Sequence, residues 1–164
     1  MNASTAGRVL QKCRLVVLVV DDEQSALDLI CALLGKLPGH PEVIAFVDPL
    51  RALEWARHHR ASLVISDYHM RPINGAAFIR EVRRLPSYRT TPIIVVSASE
   101  DDTDVARAVQ AGSDAWMPKR MMQTVLVSTA QRLLHSKRGA AYRMAGRLRT
   151  WISWVWCRLR GRSC

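Results

Sequence analysis

The chain alternates short, mostly apolar runs with longer segments in which apolar side chains recur at helical spacing. Runs such as 15–20 and 93–96 are apolar at consecutive positions, which is typical of strands covered on both faces. The segment 23–37 places apolar residues three and four positions apart, which predicts a helix. The predicted strands are 15–20, 43–47, 61–66, 93–96 and 115–117. The predicted helices are 23–37, 49–59, 75–85, 101–110 and 121–134.

Five strands that alternate with five helices predict a doubly wound α/β domain with right-handed crossovers around a parallel sheet. Local signals support two of the helix ends. Asp48 followed by Pro49 has the form of an N-cap with proline at the first helical position. Gly112 follows the helix at 101–110, where a left-handed residue commonly ends a helix.

Acidic side chains follow two of the predicted strands. The first strand runs into Asp21 and Asp22, and the third runs into Asp67. Because the carboxyl ends of parallel strands meet at one edge of the sheet, we expect these three carboxylates to lie close together. Unpaired carboxylates repel one another, and hard oxygen ligands suit Mg²⁺, so the sequence predicts a magnesium site.

Charge divides the chain into two parts. Residues 1–135 hold 16 Lys/Arg and all 14 acidic residues, whereas residues 136–164 hold eight basic residues and no acid. With 49% apolar residues over 164 positions, the chain can form one domain with a real core plus an extension. The predicted organisation is an N-terminal extension at 1–13, a domain at 14–135 and a basic tail at 136–164.

Several features predict a cytoplasmic protein with reduced thiols. The apolar run after Arg14 has six residues and ends in acids, which argues against a signal peptide. No stretch reaches the ~18 apolar residues of a membrane-spanning helix. The four cysteines have neither metal-ligand spacing nor a disulfide framework; they are Cys13, Cys31, Cys157 and Cys164.

Taken in order, the residues at the strand ends resemble those of the receiver domain of two-component response regulators. The matching residues are Asp21-Asp22, Asp67, Ser97-Ala98 and Lys119, each after the expected strand. Two longer stretches also resemble the family, namely Asp67…Met70…Pro72…Gly75 and the run 111–117 before the lysine. The resemblance covers 14–135 and implies a flavodoxin-like fold with strand order 2-1-3-4-5.

The resemblance assigns roles to the acidic residues and the lysine. Asp67 would accept a phosphoryl group from a histidine kinase or a histidine phosphotransfer protein. Asp22, Asp67 and the backbone carbonyl of His69 would bind Mg²⁺ directly, and Asp21 would act through a bound water. Lys119 would pair with Asp67 and then with a phosphoryl oxygen.

The resemblance also implies an output. Ser97 would donate its hydroxyl to a phosphoryl oxygen, and Trp116 would follow as the switch aromatic. The surface formed by the fourth helix, fifth strand and fifth helix would then change shape, contact a downstream protein and support homodimerisation. Arg120 departs from the family, which usually has proline directly after the lysine.

The basic tail allows several kinds of contact, and two other function classes remain open. Residues 143–160 carry apolar and basic stripes with three tryptophans, which suits contact with an anionic membrane, non-specific nucleic-acid binding, packing on the domain itself, or disorder. No helix-turn-helix fits, so specific DNA binding is not expected. The alternatives to a phosphoacceptor are a membrane-associated adaptor that acts through this tail and a phosphatase with an aspartyl-phosphate intermediate.

Overall fold

The computed structural model describes residues 15–138, which form a five-stranded parallel sheet with helices on both faces. The strands are β1 (Val16–Val20), β2 (Glu42–Phe46), β3 (Leu63–Asp67), β4 (Ile93–Ser97) and β5 (Ala115–Pro118). The helices are α1 (Gln24–Leu34), α2 (Pro49–His58), α3 (Gly75–Arg84), α4 (Asp102–Ala111) and α5 (Met122–Arg138). The strand order is β2-β1-β3-β4-β5, so the predicted fold class and strand order are confirmed.

Each central strand is apolar at consecutive positions because both of its faces are covered. In β1, Val17 and Val19 pack into one core with α1 and α5, whereas Leu18 and Val20 pack into the other with α2, α3 and α4. The strands β3 and β4 are buried at every position. Burial of these aliphatic side chains is the main source of stability in such a domain.

Side-chain caps fix the starts of three helices. The Asp48 carboxylate accepts a hydrogen bond from the Leu50 amide at 2.8 Å, and Pro49 occupies the first turn, as the sequence predicts. Asn74 caps α3 by accepting from the Ala77 amide at 2.9 Å, and Asp101 caps α4 by accepting from the Thr103 amide at 2.8 Å. These caps satisfy amides that lack intrahelical partners.

A largely buried arginine side chain connects the amino-terminal edge of the sheet. The Arg83 guanidinium, at the end of α3, donates to the carbonyl oxygens of Tyr88, Thr91 and Gly112 at 2.6–3.0 Å. It also donates to Asp114 Oδ2 at 2.8 Å, and the same oxygen accepts from the Ile93 amide at 2.8 Å. Burial lowers the pKa of Arg83, although the Asp114 carboxylate opposes that shift. The sequence gives no local signal for this network.

Element boundaries differ from the predictions by a few residues. Asp67 is the last residue of β3 rather than the first of the following loop. Helix α5 begins after a 3₁₀ turn at Lys119–Met121 and continues to Arg138, beyond the predicted 134. Among residues 15–138, no helix has the length and apolar content needed to cross a bilayer. The predicted extension 1–13 and nearly all of the predicted tail lie outside the described residues.

Candidate metal centre at the carboxyl edge of the sheet

Asp21, Asp22 and Asp67 come together where β1 and β3 end. The two strands are neighbours, and Val20 stands opposite Ser66 in the parallel register, so the residues that follow reach the same edge. One carboxylate oxygen from each of the three acids lies within 4.8 Å of the others. Asp21 and Asp67 are buried, whereas Asp22 is exposed. The expected cluster of carboxylates is therefore present.

Lys119 bridges the two buried carboxylates. Its Nζ lies 2.9 Å from Asp21 Oδ2, 3.2 Å from Asp21 Oδ1 and 3.2 Å from Asp67 Oδ1. Glu23 adds a weaker contact, with Oε2 at 3.8 Å from the same nitrogen. The ammonium thus neutralises part of the negative charge at the sheet edge.

Burial raises the pKa of Asp21 most strongly, and the neighbouring Asp67 charge raises it further. The hydrogen bonds from Lys119 and from the Glu23 amide oppose this shift without cancelling it. For Lys119, burial lowers the pKa, but the hydrogen bond to Asp21 and the attraction of both aspartates outweigh it, so the net shift is upward. The ionised form of Asp21 is therefore disfavoured in the folded chain.

The residues at this edge fit a hard divalent cation. The three carboxylates face a single ammonium group, which leaves an excess of negative charge. Asp21 Oδ2 is buried and takes part in an ion pair with Lys119, but no donor among the described residues 15–138 makes a hydrogen bond to it. A buried oxygen with a free lone pair can accept from a metal-bound water. The donor set consists of oxygens, which Mg²⁺ prefers.

Ser97 and Trp116 lie on the strands beside this cluster. Ser97 ends β4 one residue after Val96, the register partner of Asp67, and its side chain is buried. The Ser97 hydroxyl oxygen accepts from the Ser99 amide at 3.1 Å and so organises the loop that follows β4. The Trp116 side chain is buried, with its ring 5.2 Å from the Tyr68 ring in an edge-on arrangement.

His69 lies on the loop between β3 and α3, two residues after Asp67. Its exposed imidazole has Nε2 at 3.2 Å from Asp104 Oδ2 on α4. The loop is closed by the Gly75 amide, which donates to the Tyr68 carbonyl at 2.7 Å. This bond joins the start of α3 to the residue that follows Asp67.

Three residues near the site were not singled out by the sequence pattern. Asp104 contacts His69, Glu23 contacts Lys119, and Glu100 of the loop after β4 forms an ion pair with Arg120. Glu23 directly follows Asp21-Asp22, so its position in the sequence is a usable signal. The other contacts join residues that are distant in the chain and carry no local signal.

Comparison with known proteins identifies the class. Residues 17–131 match the response regulator receiver domain, so the chain belongs to the response regulator receiver family of two-component signalling. The chemotaxis protein CheY4 of Vibrio cholerae has a similar solved structure, with a TM-score of 0.67 and 28% identity over 73% of this chain and 98% of that one. The sequence-based identification of the family is confirmed.

Individual relatives differ in how much of their length the match covers. The chain is 32% identical over 135 residues to the cyclic di-GMP phosphodiesterase response regulator RpfG of Xanthomonas campestris, which is 81% of this chain but 36% of that protein. A CheY homologue of Campylobacter jejuni is 27% identical over 124 residues, which is 75% of this chain and 95% of that protein. The chain spans about a third of the length of the first of these relatives.

Replacing Asp21 with Asn is expected to stabilise the metal-free protein by about 1 kcal/mol at neutral pH, which is the scale of carboxylate repulsion at such distances. Because the folded pKa of Asp21 is raised, the stability that this residue contributes is present below its ordinary pKa and is lost as the pH rises through the folded value. In a chelating buffer, the Asp21→Asn variant should unfold at a higher temperature than the wild type at neutral pH. This difference in unfolding temperature should shrink as the pH is lowered.

The exposed Asp28→Asn variant is the matched control for Asp21→Asn and should unfold like the wild type. An Asp21→Asn protein that is less stable than wild type at neutral pH would show that the ion pair with Lys119 outweighs the burial cost.

Proposed function

We propose that the chain is a phosphoacceptor that receives a phosphoryl group on Asp67 from a histidine kinase or a histidine phosphotransfer protein. The observation that supports this most directly is the position of the Asp67 carboxylate. It lies within 4.8 Å of two further carboxylates and 3.2 Å from an ammonium group at the carboxyl edge of the sheet. Family membership supports the same reaction.

In the transfer, an Asp67 oxygen forms a bond to phosphorus while the bond from phosphorus to the donor imidazole nitrogen breaks. Positioning and electrostatic stabilisation supply most of the catalysis in reactions of this type. Asp22, Asp67 and the His69 carbonyl are the proposed ligands of Mg²⁺, with Asp21 acting through water. When bound, Mg²⁺ neutralises the phosphoryl oxygens. Lys119 places its ammonium beside the accepting oxygen and can pair with a phosphoryl oxygen afterwards.

The proposed output follows from the new charge at Asp67. A phosphoryl group adds roughly −1.5 to −2 charges and strong acceptors, which attract the Ser97 hydroxyl and the Lys119 ammonium. Ser97 would leave the Ser99 amide that it now accepts from, so the loop leading into α4 would rearrange. Trp116 already lies in the core against Tyr68, and its proposed part is to change its packing with that loop.

The proposed partners meet the surface formed by α4, β5 and α5. A downstream protein, or a second copy of this chain, would bind the phosphorylated arrangement more tightly, since a ligand shifts an equilibrium only by its differential affinity. Contact of residues 143–160 with an anionic membrane lies outside the described residues and stays a prediction.

Acetyl phosphate with Mg²⁺ should add one phosphoryl group to the wild-type protein and none to an Asp67→Asn variant. Asn lacks the anionic oxygen that attacks phosphorus, so incorporation, followed by intact-protein mass spectrometry, should fall to background. The exposed Asp28→Asn variant is the control and should be modified like the wild type. An unmodified wild type, with Mg²⁺ binding demonstrated by calorimetry, would contradict the proposal.

The phosphatase alternative has less support. Enzymes of that kind commonly carry an acid two residues after the nucleophile, and His69 stands there with its imidazole against Asp104. Turnover of a generic phosphate ester that Asp67→Asn abolishes would favour the alternative.

A further inference from the structure

Asp104 is a largely buried carboxylate on α4 that faces the phosphoacceptor loop. Only 12% of its side chain is exposed, although it lies in the first turn of a surface helix beside the exposed Asp102. Its Oδ2 lies 3.2 Å from His69 Nε2, and its Oδ1 lies 3.6 Å from the exposed Arg107. A carboxylate in this position loses hydration on folding and depends on these partners.

Tyr68 packs among the side chains around the His69–Asp104 contact. Its ring contacts the His69 ring, with centroids 5.0 Å apart, and the Trp116 ring, with centroids 5.2 Å apart. The Tyr68 hydroxyl is buried, and no group within residues 15–138 meets it in hydrogen-bonding geometry. Burial raises the Tyr68 pKa, and the nearby Asp104 charge raises it further, so the carboxylate and the phenol share one environment.

These contacts form a continuous path from the phosphoacceptor to α4. Asp67, Tyr68 and His69 are consecutive, so a displacement of Asp67 acts directly on the backbone that carries the His69 and Tyr68 rings. If His69 moves and α4 does not, Asp104 loses its nearest partner while it remains shielded from water. Arg107 then remains as a more distant partner, at 3.6 Å. Because a buried carboxylate that loses its nearest partner is destabilised, the lower-energy outcome is that α4 follows the loop.

We propose that Asp104 is a positioning residue that couples α4 to the loop after Asp67 through its contact with His69. The proposal rests on the proposed function of Asp67 and names the residue pair through which the state of that carboxylate reaches the output surface. The pair gives α4 a connection to the site in addition to the one through Ser97 and the loop that follows β4.

The test measures amide hydrogen exchange of α4 with and without beryllofluoride and Mg²⁺, a stable substitute for the phosphoryl group. In the wild type, loading should change the exchange of residues 102–111. In Asp104→Asn, the difference between the loaded and unloaded states should fall about five-fold, the lower range of coupling between sites. His69→Gln should reduce this difference by a similar factor. The double variant should reduce it no further than either single variant does, as expected for two residues that act through one contact.

The comparison of loaded and unloaded states separates coupling from helix stability. A carboxylate that only stabilised α4 would, when replaced, raise exchange equally in both states and leave their difference intact. That result in Asp104→Asn would overturn the inference. The exposed Asp102→Asn variant carries the same change in the same turn and should retain the full wild-type difference.

Phosphoryl incorporation from acetyl phosphate distinguishes failure of the coupling through Asp104 from failure of the proposed phosphoacceptor role of Asp67. Asp104→Asn should still be modified on Asp67, and loss of modification there would overturn the coupling role because the carboxylate would then act on the acceptor itself. An α4 response that persists in Asp104→Asn, with normal incorporation, overturns this inference and leaves the proposed function in place. Absence of incorporation in the wild type overturns both.

Discussion

Replacing Arg83 with Met is expected to lower the free energy of unfolding by about 3–5 kcal/mol, as for loss of one partner from a buried charge network. The guanidinium donates to three backbone carbonyls and to Asp114, and 18% of its side chain is exposed. Met fills similar space without any donor, so each of these acceptors loses a hydrogen bond while remaining partly buried. Asp114 would lose its contact with the guanidinium and retain the hydrogen bond from the Ile93 amide.

Equilibrium unfolding in urea measures this effect, and two variants sharpen it. Arg84→Met is the matched control, because the Arg84 side chain is 74% exposed and pairs with Glu81 one turn earlier on the same helix. It should change stability by about 0.5 kcal/mol or less. Arg83→Lys keeps the charge but cannot reach four acceptors from one planar fork, so it should recover only part of the loss. Equal midpoints for Arg83→Met and Arg84→Met would contradict the structural role.

Replacing Gly75 with Ala is expected to destabilise the domain by about 2–3 kcal/mol and to weaken Mg²⁺ binding. A Cβ at this position would lie 2.6 Å from the Asp67 carbonyl oxygen and 2.8 Å from the Tyr68 Cα. Both are backbone atoms, so the start of α3 or the end of β3 must move. Since the end of β3 carries Asp67, the displacement reaches the acidic cluster directly.

Gly35→Ala is the control for this substitution, because its φ of −57° is helical and the nearest atom to a new Cβ is at an ordinary 3.4 Å. That change should be neutral or slightly stabilising. Calorimetric Mg²⁺ titration and urea unfolding of both variants provide the comparison. A Gly75→Ala protein with wild-type stability and affinity would show that the helix can retreat without moving the strand.

The main features of the fold could be predicted because each depends on neighbouring residues. The buried strands β1, β3 and β4 are consecutive apolar runs, and strand covering on both faces is what such runs require. The cluster at Asp21, Asp22 and Asp67 followed from one geometric fact about parallel sheets, that their carboxyl ends share an edge. Cap chemistry at Asp48 was equally local.

Features that depend on distant residues could not be predicted in this way. Arg83 meets Gly112 and Asp114 across 29 and 31 positions, and nothing near Arg83 distinguishes it from the exposed Arg84. From the sequence, Asp104 is an ordinary acid in the first turn of a helix, where it is favourable for the helix dipole. Its contact with His69 is visible in the structure alone. The roles of Ser97 and Trp116, the domain boundaries and the tail remain predictions.

The network around Arg83 and the cluster around Asp67 occupy opposite ends of the same strands, and this separation has a consequence for protein engineering. Hydrogen bonding is dense at the end that holds Arg83, while the end that holds the proposed phosphoacceptor carries like charges that repel one another. A more stable version of the domain can therefore be built by redesigning loops at the end that holds Arg83 alone. Response kinetics would then be adjusted separately, through the few side chains at the other.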